Sequence, residues 1–579
     1  MKMEWRVEPA LRLGWYVLAC LLAVFTYFYG LDSQHIPKNG DEYPYEHIVR
    51  LTANSGNLLP LHSGMDNMRN TKPPLLFWQG IVSTNWGQDW TLWKLRYPSV
   101  IYTLLTASML FMLGWKLSRQ VETGFIAALT FLAFFTTYRF GRPFLTNPPE
   151  VFWLSLPFFV LLYWRQALAS RWLIPLLLGI SVGIGFLYKS FALGLPVTLG
   201  LAAWYWHQRQ YRVMEFIKQD ALKVFIAISV AVAIFGLWFA LDPNPQAVWK
   251  EFVVGENVGK FDPHGSGYLE KLLWGGSSIW SYILAFMTNA GLLTFIVIAL
   301  FVVAYKNRQQ LSNEEKLLWL LIAAFFISFA LPSQRSGRYL LDVMPAVALL
   351  SALSWQRISR KVFIATLLLA GVLLVGIAAL ALRLQNEMNN ADLYSISFWL
   401  LCSVAIILIV FAIVKSDFTR PATNVVALLL LLIFAAFLKP FDGVLGNYSV
   451  ATQQYVAGKI VWVPCNFRAH DEGHRFILPG AEIYGYSEDQ NLTAADLASR
   501  YDLFAVQESL QSNAKRGHCF DCKVIGQRLD IRGRQSGDEL KDMLFNGNFF
   551  ENLFVRELLV ESTAEIKNIP PQTFAQMCR

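Results

Sequence analysis

Two adjacent carboxylates, Asp41 and Glu42, follow closely on the first long apolar stretch of the chain. Lys72 stands ahead of a Pro-Pro pair, Lys189 sits between two apolar runs, and Lys260 with His264 occupies a later polar loop. Arg335 and Arg338 precede another apolar run. Several cations around one or two carboxylates suit transfer from a phosphate-linked donor. The leaving phosphate gains negative charge as its bond to the transferred group breaks. Fixed Arg and Lys groups in a low-dielectric cleft stabilise that charge more in the transition state than in the ground state. A carboxylate on the opposite side can take the proton of an incoming hydroxyl. The sequence has neither G-x-x-x-x-G-K-[ST] nor G-x-G-x-x-G, so no loop calls for a nucleotide donor.

These residues need elements to hold them, and composition says where those elements lie. Of 579 residues, 55% are hydrophobic and only 16% charged, against about 25% charged in a soluble domain. Aromatics make up 15%, with 20 Trp, which suits membrane interfaces. The formal net charge of +8 is spread over many loops. No polybasic arm marks a nucleic-acid partner. Thirteen apolar runs are long enough for spanning helices: 12–30, 95–114, 123–140, 148–164, 172–188, 190–206, 223–241, 279–304, 317–332, 339–354, 361–382, 395–414 and 421–440. The first runs straight into Leu31-Asp-Ser-Gln-His without a small-residue cleavage site, so it reads as a span, not a signal peptide.

Alternate connections are basic: Lys116 and Arg119; Arg165 and Arg171; Arg209, Arg212, Lys218 and Lys223; Lys306, Arg308 and Lys316; Arg357, Arg360 and Lys361; Lys415 and Arg420. With Lys2 and Arg6 they form one cytoplasmic set, leaving the N-terminus inside and the C-terminus outside. The expected fold is mainly α, a polytopic membrane domain over 1–440 followed by a small α/β domain over 441–579. Two further segments lie outside. Residues 31–94 should form interfacial helices anchored by Trp78, Trp86, Trp90 and Trp93, and 242–278 forms a loop. In the tail, Lys459-Ile-Val-Trp-Val, Arg475-Phe-Ile-Leu and Tyr501-Asp-Leu-Phe-Ala-Val read as strands. Ala494–Ser499 and Glu539–Phe545 read as helices.

Against that topology, the residues of the opening paragraph break the charge rule. They lie outside at helix ends, with Lys94, Arg96, Arg139 and Arg142 beside them. An ionisable group at membrane depth is a functional candidate by default. Any single one can instead snorkel or pair structurally, and Arg96 and Arg139 are read that way. The joint pattern, cations closing five external connections around one acidic pair, is the functional signal. Cys465, Cys519, Cys522 and Cys578 share the external tail, where disulfides are expected; three pairings are open. Cys519-Phe-Asp-Cys522 also has a redox spacing, for which the disulfide reading is preferred.

Gly40-Asp41-Glu42-Tyr43-Pro44-Tyr45, followed by Asn70-Thr71-Lys72-Pro73-Pro74-Leu75-Leu76-Phe77-Trp78, resembles the protein-mannosyltransferase/aminoarabinose-transferase superfamily. The resemblance continues at Thr146-Asn147-Pro148-Pro149, Leu187-Tyr188-Lys189, Gly255-Glu256-Asn257 and Arg335-Ser336-Gly337-Arg338-Tyr339. It implies a GT-C membrane glycosyltransferase using a sugar on polyprenyl phosphate at the periplasmic face of a bacterial inner membrane. By the same resemblance Asp41 matches the catalytic acidic residue, Lys72 the lysine at the donor phosphate, and Tyr339 a tyrosine near the donor head group. Charge placement adds Lys189, Arg335 and Arg338 to the phosphate set. Glu42 is assigned to holding Asp41 or contacting the acceptor, and Tyr45, Asn147, Glu150 and His264 to substrate contact. Thr71 stands where aminoarabinose transferases carry Glu, and Asn147 where much of the superfamily carries Asp.

The expected reaction is inverting transfer to a lipid A or lipopolysaccharide-type glycolipid, in contact with membrane lipids. No cofactor is required by the motifs; a divalent metal stays open. A protein O-glycosyltransferase or cell-wall glycan transferase of the same fold is the alternative. A lipid-linked sugar flippase is the alternative of another class, but transporters place polar groups at mid-membrane on broken helices.

Overall fold

A computed structural model describes residues 9–36, 39–65, 68–257, 268–332, 335–466, 468–488, 492–510, 519, 522–532, 537–546 and 548–563. Helix α1 (Pro9–Phe28) shows why the apolar runs build a membrane domain. Tyr16, Ala19, Ala23 and Tyr27, spaced by three and four, are buried against the bundle, while Leu11, Leu18, Leu21 and Phe25 are exposed. A helix that is apolar on both its packed and its open faces belongs in lipid.

After α1 come α2 (Glu42–Asn54), α3 (Leu75–Ser83), α4 (Leu92–Ser118), α5 (Val121–Ala133), α6 (Phe135–Phe140), α7 (Asn147–Tyr163) and α8 (Leu173–Tyr188). All thirteen apolar runs coincide with helical segments. Among the described residues seven helices are long and apolar enough to cross a membrane, and a bent pair makes an eighth. The chain is a multi-pass membrane protein.

Two runs read as single spans are broken. The run 279–304 is Ile279–Thr288 and Gly291–Lys306, bent by 105°. Gly291 makes the bend: its φ is +59°, and a Cβ there would stand 2.4 Å from Cβ of Phe135. The run 123–140 breaks at Phe134, which is extended between α5 and α6. The two breaks meet, since the Thr136 N–H donates to the Asn289 carbonyl at 3.1 Å.

The segment 31–94 does carry two helices, but they are not simply laid on a surface. Eight of the thirteen residues of α2 are buried: Tyr45, Ile48, Val49 and Ala53 pack with Leu76, Phe77, Ile81 and Leu95, and His47 meets the C-terminal domain at Glu472. Trp86 and Trp93 are exposed as anchors would be. Trp90 instead stacks on Phe476 of the C-terminal domain, rings 6.3 Å apart and 10° from parallel.

That domain is a five-stranded sheet with helices. Its strands are β1 (Ile460–Cys465), β2 (Glu482–Ser487), β3 (Leu503–Ser509), β4 (Cys522–Ile531) and β5 (Phe554–Ser562), in the order β2-β1-β3-β5-β4. β1 runs parallel to β2 and β3, whereas β5 is antiparallel to β3 and β4. Helices Ala494–Ala498 and Gly537–Phe545 lie where expected. Arg475-Phe-Ile-Leu, read as a strand, is a correction: His474–Ile477 is a helical turn. The Arg475 Nε donates back to Glu472 at 3.0 Å, an i,i+3 contact that curls the chain. This turn is part of the crossover between parallel β1 and β2, which must leave the sheet and return. Cys519 and Cys522 form a disulfide, and Cys465 is disulfide-bonded as well; Cys578 lies outside the described residues.

Candidate active site

Where α2, the segment after α8, the Trp249–Asn257 helix and the 335–343 turn converge, they enclose a cavity of about 450 Å³. Asp41, Tyr45, Lys72, Lys189, Arg338 and Tyr339 are among its polar lining. Leu193, Leu195, Pro196, Phe252, Phe329 and Pro332 are among its apolar lining. Six of the sequence candidates, scattered over about 300 positions, thus share one wall.

A chain of charged hydrogen bonds fixes most of them. Arg338 donates from a terminal guanidinium nitrogen to Asp41 and from Nε to the Asn147 amide oxygen at 2.8 Å. The Asn147 amide nitrogen donates to Glu150 at 3.2 Å. Glu150, completely buried, accepts from Lys189 Nζ at 2.7 and 2.8 Å. The ammonium of Lys189 then stands 5.7 Å from the centre of the Tyr339 ring. Asn at 147 has a physical reason. It accepts from Arg338 and donates to Glu150, whereas an ionised Asp could only accept and would repel Glu150.

Lys72 is presented by a rigid piece of chain. Pro74 is the N-cap of α3, so the two prolines fix the backbone just after the lysine. Upstream, the Asn70 backbone and side-chain N–H groups both donate to Glu251 at 3.0 Å. Lys72 Nζ donates to the Thr71 carbonyl at 2.7 Å and to Glu256 at 3.2 Å. Burial pushes the Tyr45 phenol well above its ordinary range, with Arg338 pulling the other way. It therefore stays protonated in the cavity wall.

Two sequence candidates sit elsewhere. Glu42 turns away from the cavity into a buried ion pair with Arg96, at 2.8 and 2.9 Å, and accepts the Phe144 backbone N–H at 2.6 Å. It makes no hydrogen bond to Asp41 among the described residues. It ties α2 to α4 and to the loop before α7. Arg335 donates to the carbonyls of Ala330 and Ser277 at 2.6 and 2.9 Å, not into the cavity. His264 lies outside the described residues. Arg142, another rule-breaking charge, is buried and caps the end of α1 through the carbonyls of Tyr27 and Tyr29.

Sequence reasoning missed the roles of Glu256 and Arg468, both of which line the cavity. Glu256 belonged to a quoted motif and could have been paired with Lys72 by charge. Arg468 carries no local signal, because only the folded C-terminal domain brings it there.

Among the described residues, His47, Asp471 and Glu472 are spaced as ion ligands could be. The imidazole is already committed. Its Nε2 accepts the Gly64 N–H at 2.9 Å and its Nδ1 faces Glu472 at 2.7 Å. Glu472 also takes Arg50, at 2.5 to 3.2 Å, and Arg475. Two guanidinium groups do the work a cation would do, so these residues fit an ion-pair lock rather than a metal.

A family model described as dolichyl-phosphate-mannose-protein mannosyltransferase matches residues 45–250. An undecaprenyl phosphate-alpha-4-amino-4-deoxy-L-arabinose arabinosyl transferase of Proteus mirabilis is 25% identical over 405 residues, 67% of this chain and 69% of that protein. The transferase of the same name from Pseudomonas aeruginosa is 27% identical, over 66% and 68%. The structure of ArnT from Cupriavidus metallidurans bound to undecaprenyl phosphate superposes with a TM-score of 0.60 at 15% identity, covering 96% of this chain and 99% of that one. The shared architecture, the family match and the named relatives agree with the sequence motifs: the chain is a glycosyltransferase of the GT-C type, similar to the protein mannosyltransferases and aminoarabinose transferases.

Proposed function

We propose that this enzyme moves a sugar from a polyprenyl-phosphate donor to a lipid A or lipopolysaccharide-type glycolipid, with inversion. The observation that carries this reading is a cavity lined by both cations and apolar side chains. Its apolar lining includes exposed Leu195 and suits an isoprenoid chain. Its polar lining includes Lys72, Lys189 and Arg338 and suits a phosphate. Relatives named for undecaprenyl-phosphate aminoarabinose transfer support the donor class.

In the proposed step the acceptor oxygen attacks the anomeric carbon as the carbon–oxygen bond to phosphate breaks. The phosphate leaves with the electron pair, held by Lys72 and Lys189, with Tyr339 supporting Lys189. Asp41 takes the acceptor proton or, where the acceptor is already an anionic phosphate, orients it. Arg338 and Asn147 fix Asp41, and Glu150 fixes Lys189. Glu42 and Arg335 serve as holding groups of the frame. The reading places the cavity and the 441–579 domain on the periplasmic side of a bacterial inner membrane, with residues 1–440 as the catalytic domain.

The test is reconstitution of the purified chain with defined radiolabelled polyprenyl-phosphate sugars and a panel of acceptors. Label passing to lipid A supports the reading. Label passing only to protein replaces the acceptor, and a donor left unconsumed by every acceptor sinks the proposal.

A further inference from the structure

The cavity wall includes a residue from the C-terminal domain, Arg468. It follows β1 in a turn built to hold it. The Asn466 side chain accepts the Arg468 N–H at 2.8 Å, and its amide nitrogen reaches Glu488 at 2.9 Å. The next residue, Ala469, is completely buried and has φ +52°. A non-glycine residue in this left-handed region is strained, and such strain persists only where the surroundings over-determine it.

The turn is clamped to the segment that carries Asp41. Glu472 binds His47 and Arg50 of α2. Gln34 donates to the Gly473 carbonyl at 2.5 Å. The His470 ring packs edge-on against Tyr43 at 5.9 Å, and Phe476 stacks on Trp90. Asp41 is the N-cap residue of α2 and lies two positions from Tyr43, as Arg468 lies two from His470. Arg468 is therefore held in the wall of the cavity that Asp41 also lines.

We propose that Arg468 is a substrate-binding residue supplied by the C-terminal domain, which grips an anionic phosphate of the acceptor beside Asp41. This rests on the reading of the cavity as a lipid-phosphate sugar transferase site. Lys72 and Lys189 already provide for the donor phosphate. A guanidinium fork brought in by a separate domain is suited to a second phosphate, which it binds bidentately. The C-terminal domain is then part of the active site and not an appendage.

The experiment measures binding to the full-length protein in nanodiscs with three probes: lipid A, enzymatically dephosphorylated lipid A, and polyprenyl phosphate. Wild type is expected to prefer lipid A over its dephosphorylated form by about tenfold or more, a typical charge-assisted contribution. Arg468→Gln abolishes that preference and leaves polyprenyl phosphate affinity within about twofold. Arg468→Lys, which keeps the charge without the fork, retains part of it and guards against a folding defect. An Arg468→Gln protein that keeps the full preference, or that loses polyprenyl phosphate instead, overturns the proposal. Wild type that binds no polyprenyl phosphate overturns the underlying reading, independently of any Arg468 variant.

Discussion

Arg338 holds Asp41 in the cavity wall, one guanidinium nitrogen on the carboxylate and Nε on Asn147. The contact joins the first polar loop to a turn 297 residues away and decides which way the carboxylate faces. A single planar group serving two acceptors is a task for Arg and not for Lys. Arg338→Lys is therefore expected to lose roughly 10- to 100-fold in kcat/KM, and Arg338→Ala at least as much. Steady-state transfer assays check this. A lysine variant with wild-type kinetics would show that the fork is dispensable.

The Arg96–Glu42 pair makes a different prediction, about stability. Arg96 and Glu42 are both about 2% exposed. Removing one partner strands a buried charge, which costs about 3–5 kcal/mol. Arg96→Met should lower the melting temperature strongly, and adding Glu42→Gln should recover part of the loss. Equal melting of Arg96→Met and wild type would contradict the buried pair.

Gly291 is tested by the smallest change available. Gly291→Ala adds a methyl group where Phe135 leaves 2.4 Å, at a φ of +59°. The expected cost is about 1–3 kcal/mol from overpacking, plus the left-handed backbone penalty. Thermal unfolding in detergent measures it, and Gly236→Ala, which meets nothing within 4 Å, is the control.

The lock between α2 and the C-terminal domain should respond to pH. Burial and the neighbouring Glu472 push the Asp471 carboxyl up to about 6. A raised carboxylate contributes stability in full below its unfolded value, near 4, and loses it as pH rises through about 6. Glu472 is held well below its usual range: burial opposes this, but Arg50, His47 and Arg475 prevail. Its contribution stays intact across that window and fails only in stronger acid. Between about pH 5 and about pH 7.5 the Asp471 contribution should fall by about 1–3 kcal/mol. Asp471→Asn should flatten the pH dependence of melting, and an unchanged slope would contradict the assignment.

Much of this molecule was legible in its residues, for identifiable reasons. Spanning helices are written in run length, so all thirteen runs coincide with helices, whereas the break at Gly291 depends on Phe135 from a distant helix. Asp41, Lys72, Lys189, Arg338 and Tyr339 stood out because a charge or motif at a helix end has few other uses. Glu42 carried the same signal, yet Arg96 claims it, and adjacency in sequence cannot tell which of two carboxylates turns inward. Arg475-Phe-Ile-Leu reads as a strand by its apolar run, but its contact with Glu472 makes it helical. Arg468 was invisible because its place depends on docking of a whole domain.

The central claim is that Asp41 acts on the acceptor while the cations hold the donor phosphate. Asp41→Asn keeps size and shape, so the direct measurement is transfer from a defined polyprenyl-phosphate sugar to lipid A by wild type and Asp41→Asn, with polyprenyl phosphate binding measured in parallel. The account predicts a fall of about 100-fold or more in kcat with binding nearly unchanged. Full transfer by Asp41→Asn would contradict it.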